Sequence, residues 1–141
     1  MTHQEKKIKV LLAQFPLETH SRGIITVAGM LRDAGMEVVL MGNALSQRII
    51  EAAVQESVDA VGISTYCGGE LALGSELLQA AEEKGIKEHT VFLMGGIFPP
   101  KNAPKLKEIG FSATFPPSAT REEIVSSIEK AVASKRRLST D

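Results

Sequence analysis

Segment 18–23 of the chain, Glu-Thr-His-Ser-Arg-Gly, brings together residue types that can hold a ligand. His20 has a carboxylate two residues before it, at Glu18, and a glycine three residues after it, at Gly23. An imidazole is a suitable ligand for a transition metal. The alternative is that His20 is an exposed loop residue that helps to cap the helix after it.

The residues on either side of this segment predict a strand before it and a helix after it. Residues 8–13 form a short apolar run with β-branched members, as expected of a strand that is buried on both faces of a parallel sheet. Downstream, apolar residues recur at helical spacing, at Ile24, Val27, Ala28, Leu31 and Ala34. His20 is therefore expected in the loop at the carboxyl end of a first strand, where open α/β sheets bind their ligands.

The remainder of the chain continues this alternation of strands and helices. Apolar runs predict four further strands, at 37–41, 58–64, 90–94 and 111–115. Helices are predicted at 20–34, at 46–57 with Ser46 as the N-cap, from the glycine-rich turn at 67–69 to Gly85, and at 104–109. A last helix opens on a capping box at Thr120 and Glu123.

Five strands that alternate with helices indicate the α/β class. The expected fold is a flavodoxin-like, doubly wound parallel sheet in the order 2-1-3-4-5, Rossmann-like in its three layers. In that order His20, Ser64 and Gly95 lie at the carboxyl ends of strands 1, 3 and 4, and so converge on one crevice. Two of these positions have simpler explanations, because Ser64 can bond the backbone at a strand end and the Gly95-Gly96 pair can serve a tight turn.

Three ordered motifs resemble those of the cobalamin-binding domains of adenosylcobalamin-dependent mutases and some methyltransferases. Segment 18–23 resembles the family's Asp-x-His-x-x-Gly motif, with Glu18 in place of the aspartate. Segment 64–66, Ser-Thr-Tyr, lies where the family has Ser-x-Leu, and Gly95-Gly96 matches its Gly-Gly. The resemblance extends from about Lys7 to Val132 and is greatest to methylmalonyl-CoA mutase and to the separate small subunits of related acyl-CoA mutases.

This resemblance implies a cofactor, adenosylcobalamin, bound base-off. The dimethylbenzimidazole tail would leave the cobalt and enter a slot beside the central strands, His20 would replace it as the lower cobalt ligand, and Glu18 would orient the imidazole. No catalytic residue is expected on this chain. The cofactor-binding residues implied by the motifs are Glu18, Thr19, His20, Ser21, Arg22, Gly23, Ser64, Tyr66, Gly95, Gly96 and Pro117.

The chain departs from the family pattern at positions that matter for binding. Glu18 carries one methylene more than aspartate, so it must fold back to reach His20, and Gln14 stands where mutase domains often have a lysine that supports the carboxylate. We therefore predict that Glu18→Asp combined with Gln14→Lys tightens binding of the cofactor to His20 by at least several-fold. Tyr66 is bulkier than leucine, so the slot mouth must differ or the ring must swing out. Pro-Pro-Ser-Ala at 116–119 replaces a Gly-Pro-Gly-Thr turn.

By resemblance, the chain is expected to be the cobalamin-binding small subunit of an acyl-CoA mutase. It would be inactive alone and would act with a large TIM-barrel subunit that holds the substrate. The alternative is a non-catalytic cobalamin carrier or sensor, or a degenerate domain that has lost the cofactor. A receiver domain shares the fold but needs acidic residues at the end of the first strand, where this chain has Ala13, Gln14 and Phe15.

The length and composition limit the number of domains, the kinds of partner and the location of the protein. The 141 residues are expected to form a single domain, 1–141, with flexible tails at 1–6 and 136–141. A formal net charge of −1 and few aromatic residues argue against a nucleic-acid or membrane partner. One cysteine, Cys67, permits no internal disulfide, and the polar N-terminus lacks a signal-peptide pattern, so a cytoplasmic location is expected.

Overall fold

The computed structural model describes residues 6–66 and 68–140. Its elements in chain order are β1 (Lys9–Gln14), α1 (Arg22–Asp33), β2 (Glu37–Asn43), α2 (Ser46–Glu56), β3 (Ala60–Thr65), α3 (Glu70–Glu83), β4 (Val91–Gly96), α4 (Asn102–Ile109), β5 (Ala113–Phe115) and α5 (Arg121–Thr140). Cys67, the only cysteine, lies outside the described residues.

The five strands form one parallel sheet in the order β2-β1-β3-β4-β5. This order confirms the predicted flavodoxin-like fold. It also puts β1 and β3 next to each other, with their chains leaving toward opposite faces of the sheet. A crevice opens at this switch point, outside the carboxyl ends of the strands.

Each face of the sheet packs against its own layer of helices. The face covered by α2, α3 and α4 is filled by large side chains, among them Phe15, Phe92 and Phe111. The face covered by α1 and α5 buries Leu12 and Leu93 of the sheet together with apolar residues of both helices, among them Leu31 and Ile128. On that second face the middle strand β3 presents only small residues, in the alternating series Ala60, Gly62 and Ser64.

Several element boundaries differ from those predicted. Ser46 is the first helical residue of α2 rather than its N-cap, which is Leu45, and the buried Ser46 hydroxyl has no hydrogen-bond partner among the described residues. Strand β5 is only three residues long. Helix α5 continues through residues 136–140, which had been assigned to a flexible tail, and Arg136 pairs with Asp59 at 3.2 Å.

None of the helices in the described ranges is long and apolar enough to cross a bilayer.

Candidate functional site

A cavity of about 800 Å³ lies between the sheet and the α1–α5 layer and opens at the carboxyl edge of the strands. We call it the slot. Its floor consists of Leu12, Gly62 and Leu93, neighbours across β1, β3 and β4. Its side walls are mainly apolar and come from both helices, through Ile24, Val27, Met30 and Leu31 of α1 and Ile124 and Ile128 of α5.

The slot exists because the central strand lacks side chains at its floor. A Cβ atom added at Gly62 would lie 2.8 Å from Cδ2 of Leu12, so even an alanine would push this leucine aside. A larger residue on β3 would occupy the space between the helices. Gly62 was not singled out from the sequence, although a glycine in the middle of a buried strand is itself a sign of close approach by another group.

At the mouth of the slot, Glu18 and His20 form the pair that the motif implied. The Nδ1 atom of His20 lies 2.9 Å from Oε2 of Glu18. The glutamate is buried, whereas the histidine side chain is 65% exposed. An ionised carboxylate only accepts hydrogen bonds, so the neutral imidazole carries its proton on Nδ1 and keeps the Nε2 lone pair free.

Two backbone amides also hold the Glu18 carboxylate. Oε1 accepts a hydrogen bond from the backbone N–H of Tyr66 at 2.6 Å, and Oε2 accepts one from the backbone N–H of His20 at 3.1 Å. The longer side chain therefore does reach the imidazole, contrary to the concern raised by its extra methylene. It also ties the loop after β1 to the end of β3.

Two amide side chains that sequence reasoning did not assign to the site fix the same loop. Gln14, which is buried, donates from Nε2 to the carbonyl oxygen of His20. Asn43, at the end of β2, donates from Nδ2 to the carbonyl oxygens of Glu18 at 2.6 Å and Phe15 at 3.1 Å. Gln14 thus holds the backbone of the loop, whereas the lysine that it replaces was expected to support the carboxylate.

Tyr66 reaches from the end of β3 across the mouth of the slot to the start of α1. Its ring centroid is 5.4 Å from that of His20, and the two planes are inclined by 36°. Its Oη atom lies so near the first turn of α1 that a Cβ added at Gly23 would be 3.0 Å away. A side chain at position 23 would therefore be in close contact with the phenol, and the ring would have to shift slightly.

The paired glycines at the end of β4 have different reasons to be glycine. Gly96 has a φ of 133°, and a Cβ there would lie 1.8 Å from the carbonyl oxygen of Thr65, so no other residue fits. A Cβ at Gly95 would make only ordinary contact with Phe115. Gly95 instead leaves the slot wall open beside Ser64.

The structure brings together all the residues that the motifs implied. Glu18 lies behind His20, and the others line the slot or its mouth, namely Thr19, His20, Ser21, Arg22, Gly23, Ser64, Tyr66, Gly95, Gly96 and Pro117. The arrangement combines a long apolar slot with one exposed, oriented imidazole. It can hold a flat heterocyclic group in the slot while the imidazole binds a metal outside it.

Comparison with known proteins gives a consistent result. A family model described as the B12 binding domain matches residues 8–130. The 2-hydroxyisobutanoyl-CoA mutase small subunit of Aquincola tertiaricarbonis is 31% identical over 129 residues, covering 91% of this chain and 94% of the relative. The pivalyl-CoA mutase small subunit of Xanthobacter autotrophicus is 35% identical over 121 residues, covering 85% of this chain and 80% of the relative.

A similar fold occurs in a solved structure of a cobalamin-binding protein from Desulfitobacterium hafniense. The TM-score is 0.76 at 20% sequence identity, and the match covers 89% of this chain and 59% of the other. At this level of identity the likeness concerns the fold alone.

Proposed function

The chain belongs to the B12-binding domain family, and we propose that it is the cobalamin-binding small subunit of an adenosylcobalamin-dependent acyl-CoA mutase. In this proposal His20 is the lower cobalt ligand and the cofactor is bound base-off, with its nucleotide tail in the slot. Residues 1–141 act as a single cofactor-binding domain.

The observation that carries the proposal is the oriented imidazole at the mouth of the slot. Oε2 of Glu18 lies 2.9 Å from Nδ1 of His20, which leaves the lone pair of Nε2 available to bind a metal. A carboxylate in this position raises the basicity of a metal-ligating histidine and fixes its tautomer. The pair therefore has the arrangement of a metal ligand with its supporting group, and the imidazole is exposed enough for a large cofactor to approach it.

The shape and lining of the slot fit the tail of this cofactor. Apolar walls and a volume of about 800 Å³ suit a flat aromatic base and its ribose. Ser64, at the carboxyl end of β3, offers a hydroxyl that can bond to a ring nitrogen of the base. Gly95 leaves the backbone open to close approach.

When bound, adenosylcobalamin supplies the radical chemistry of carbon-skeleton rearrangement. The side chains of this chain hold the tail, present and orient the imidazole and exclude water from the slot. We place substrate binding in a second, larger subunit, because the relatives of this chain include small subunits of acyl-CoA mutases.

Exposed apolar side chains around the site are consistent with such a partner. Leu17, Leu45 and Ile97 lie in the loops that follow β1, β2 and β4, at the same edge of the sheet as His20. Leu17 is 91% exposed. A large subunit that covers the cofactor would bury these residues at the same time, in a complex that we place in the cytoplasm.

Retention of adenosylcobalamin on ultrafiltration tests the proposal. The natural chain is expected to retain the cofactor, and His20→Ala should raise the Kd at least tenfold while the circular dichroism spectrum stays the same. His89→Ala, which removes an exposed histidine away from the slot, is the matched control and should bind normally. Failure of the folded natural chain to retain the cofactor would refute cobalamin binding and favour a degenerate domain.

A second assay separates a mutase subunit from a cobalamin carrier. The chain with adenosylcobalamin should isomerise no acyl-CoA alone and should do so when its large subunit is added. Turnover by the chain alone would contradict the division of labour. Tight cofactor binding without any activation of a large subunit would favour a carrier or sensor.

A further inference from the structure

We infer that Tyr66 controls entry of the nucleotide tail into the slot, and so discriminates between corrinoids that carry a tail and corrinoids that lack one. The inference rests on the proposed function, because it assigns a role to one side chain of that site. It concerns the rate and specificity of binding rather than metal ligation.

The position of the ring is the first argument. Tyr66 belongs to the end of β3, yet its phenol reaches His20 on one side and the backbone of Gly23 on the other. The ring therefore spans the gap between β3 and α1, above the floor formed by Leu12 and Gly62. A flat group that passes from the exposed side of His20 into the slot must displace it.

The way in which the ring is held is the second argument. The backbone N–H of Tyr66 is anchored on the buried Glu18 carboxylate at 2.6 Å. In contrast, the phenol oxygen makes no hydrogen bond within the described ranges 6–66 and 68–140. The side chain is only partly buried. It can therefore rotate away while the backbone, and with it the Glu18–His20 pair, stays in place.

The exposure of His20 is the third argument, because it separates two parts of one ligand. The imidazole is 65% exposed, so a corrin ring can reach it without moving Tyr66. Only the tail has to pass the phenol ring. Contact between two aromatic rings is weak enough to be broken readily, and its loss corresponds to about a 2- to 10-fold change in rate.

Surface plasmon resonance with the immobilised full chain tests this role, with adenosylcobalamin and adenosylcobinamide as probes. Adenosylcobinamide has the corrin ring but no nucleotide tail. Tyr66→Leu should bind adenosylcobalamin about 2- to 10-fold faster than the natural chain, with little change in the association rate of adenosylcobinamide. Tyr66→Phe keeps the ring and should behave as the natural chain does.

Equal association rates of adenosylcobalamin for the natural chain and Tyr66→Leu would overturn the role of Tyr66 and leave cobalamin binding intact. An equal increase for both probes would also overturn it, because the ring would then hinder the corrin and not the tail. Absence of adenosylcobalamin binding in all three proteins would overturn the proposed function as well.

A second measurement needs no substitution. Tyr66 is the only tyrosine of the chain, so protein labelled with 3-fluorotyrosine has a single fluorine resonance. If the tail displaces the ring, the resonance should move to different positions with adenosylcobalamin and with adenosylcobinamide. The same position with both probes would contradict displacement by the tail.

Discussion

At the scale of single residues, the buried carboxylate of Glu18 holds two segments of backbone in addition to the His20 ring. It accepts from the His20 imidazole, from the His20 backbone and from the Tyr66 backbone 48 residues away. A buried carboxylate is stable only when such donors replace water. Glu18 therefore joins the loop that carries the imidazole to the strand that borders the slot.

Glu18→Gln should weaken cofactor binding because an amide has one accepting oxygen in place of two. Loss of the group that supports a metal-ligating histidine typically lowers metal affinity about 10- to 100-fold, or ~1.4 to 2.7 kcal/mol. Titration with adenosylcobalamin measures the change. Binding by Glu18→Gln as tight as that of the natural chain would show that the imidazole needs no carboxylate.

The structure also reverses an expectation for Glu18→Asp. Aspartate is one methylene shorter, so it cannot keep both His20 and the Tyr66 amide as partners without movement of the loop. Gln14→Lys would in addition place a charge where a buried amide now bonds to the His20 carbonyl. The double variant should therefore bind the cofactor more weakly than the natural chain in the same titration.

Leu17 occupies a backbone conformation that glycine would adopt more easily. Pro16 and Leu17 form a turn closed by a hydrogen bond from the Glu18 N–H to the Phe15 carbonyl at 3.2 Å, and φ of Leu17 is 73°. Leu17→Gly should raise the free energy of unfolding by about 1 kcal/mol, since left-handed backbone costs a residue with a Cβ that much. Urea denaturation measures it.

Leu17→Ala is the control for this change. Alanine removes the exposed side chain but retains the Cβ, so the stability should stay near that of the natural chain. If alanine and glycine raised the free energy of unfolding equally, the gain would come from removal of the exposed leucine side chain and not from relief of the backbone conformation.

At the scale of elements, the start of α5 is fixed by the predicted capping box. The backbone N–H of Thr120 donates to Oε1 of Glu123 at 2.8 Å, and the Glu123 N–H donates to Oγ1 of Thr120 at 3.2 Å. The first of these bonds, followed by a second contribution from the Thr120 side chain, lowers the pKa of Glu123. Only the bond from the Thr120 N–H uses the carboxylate of Glu123, because the other is donated by the Glu123 backbone.

Thr120→Ala should lower the free energy of unfolding by about 1 kcal/mol at neutral pH.

The contribution of Glu123 to the stability is pH dependent. Because its folded-state pKa is depressed, the stabilisation is present above the ordinary glutamate pKa and is lost as the pH falls through the lowered value. Urea denaturation should therefore show Glu123→Gln less stable than the natural chain at pH 7 and no less stable at a pH low enough to protonate Glu123 in the folded state. A difference that persisted at low pH would contradict the role of the charge.

Much of the fold could be predicted because local patterns and tertiary packing agree. The buried strands β1, β3 and β4 are continuous apolar runs, and the capping box of α5 is a local signal. Ser46 shows the limit of such signals, because the favoured residue type stands one position inside the helix. The end of α5 was missed because Arg136 is held there by Asp59, which is distant in sequence.

The candidate site likewise has residues that could be predicted from the sequence and residues that could not. Its motif residues are grouped in sequence and could be identified. Gln14 was noted only for the lysine that it replaces, and no residue pattern marks Asn43, which acts through backbone carbonyls. The walls from α1 and α5 are ordinary core positions in sequence. They line a slot because β3 carries no side chain at Gly62, where Leu12 lies close against the strand.

At the scale of the whole molecule, the two faces of the sheet differ in packing. The face toward α2, α3 and α4 is filled by large side chains, including an edge-to-face contact between Phe92 and Phe111 with ring centroids 6.5 Å apart. The opposite face keeps the slot between the sheet and the α1–α5 layer. A filled core on one face thus supports a site on the other that is shaped to receive a group from outside.

The central claim is that His20 provides the nitrogen bound to cobalt. Electron paramagnetic resonance of cob(II)alamin bound to the chain tests it directly, because the axial nitrogen splits the cobalt lines into triplets for ¹⁴N and doublets for ¹⁵N. Protein labelled with ¹⁵N-histidine should give doublets with unlabelled cofactor, and His20→Ala should not. Triplets from the labelled protein would contradict the claim, because the nitrogen would then belong to the cofactor's own tail.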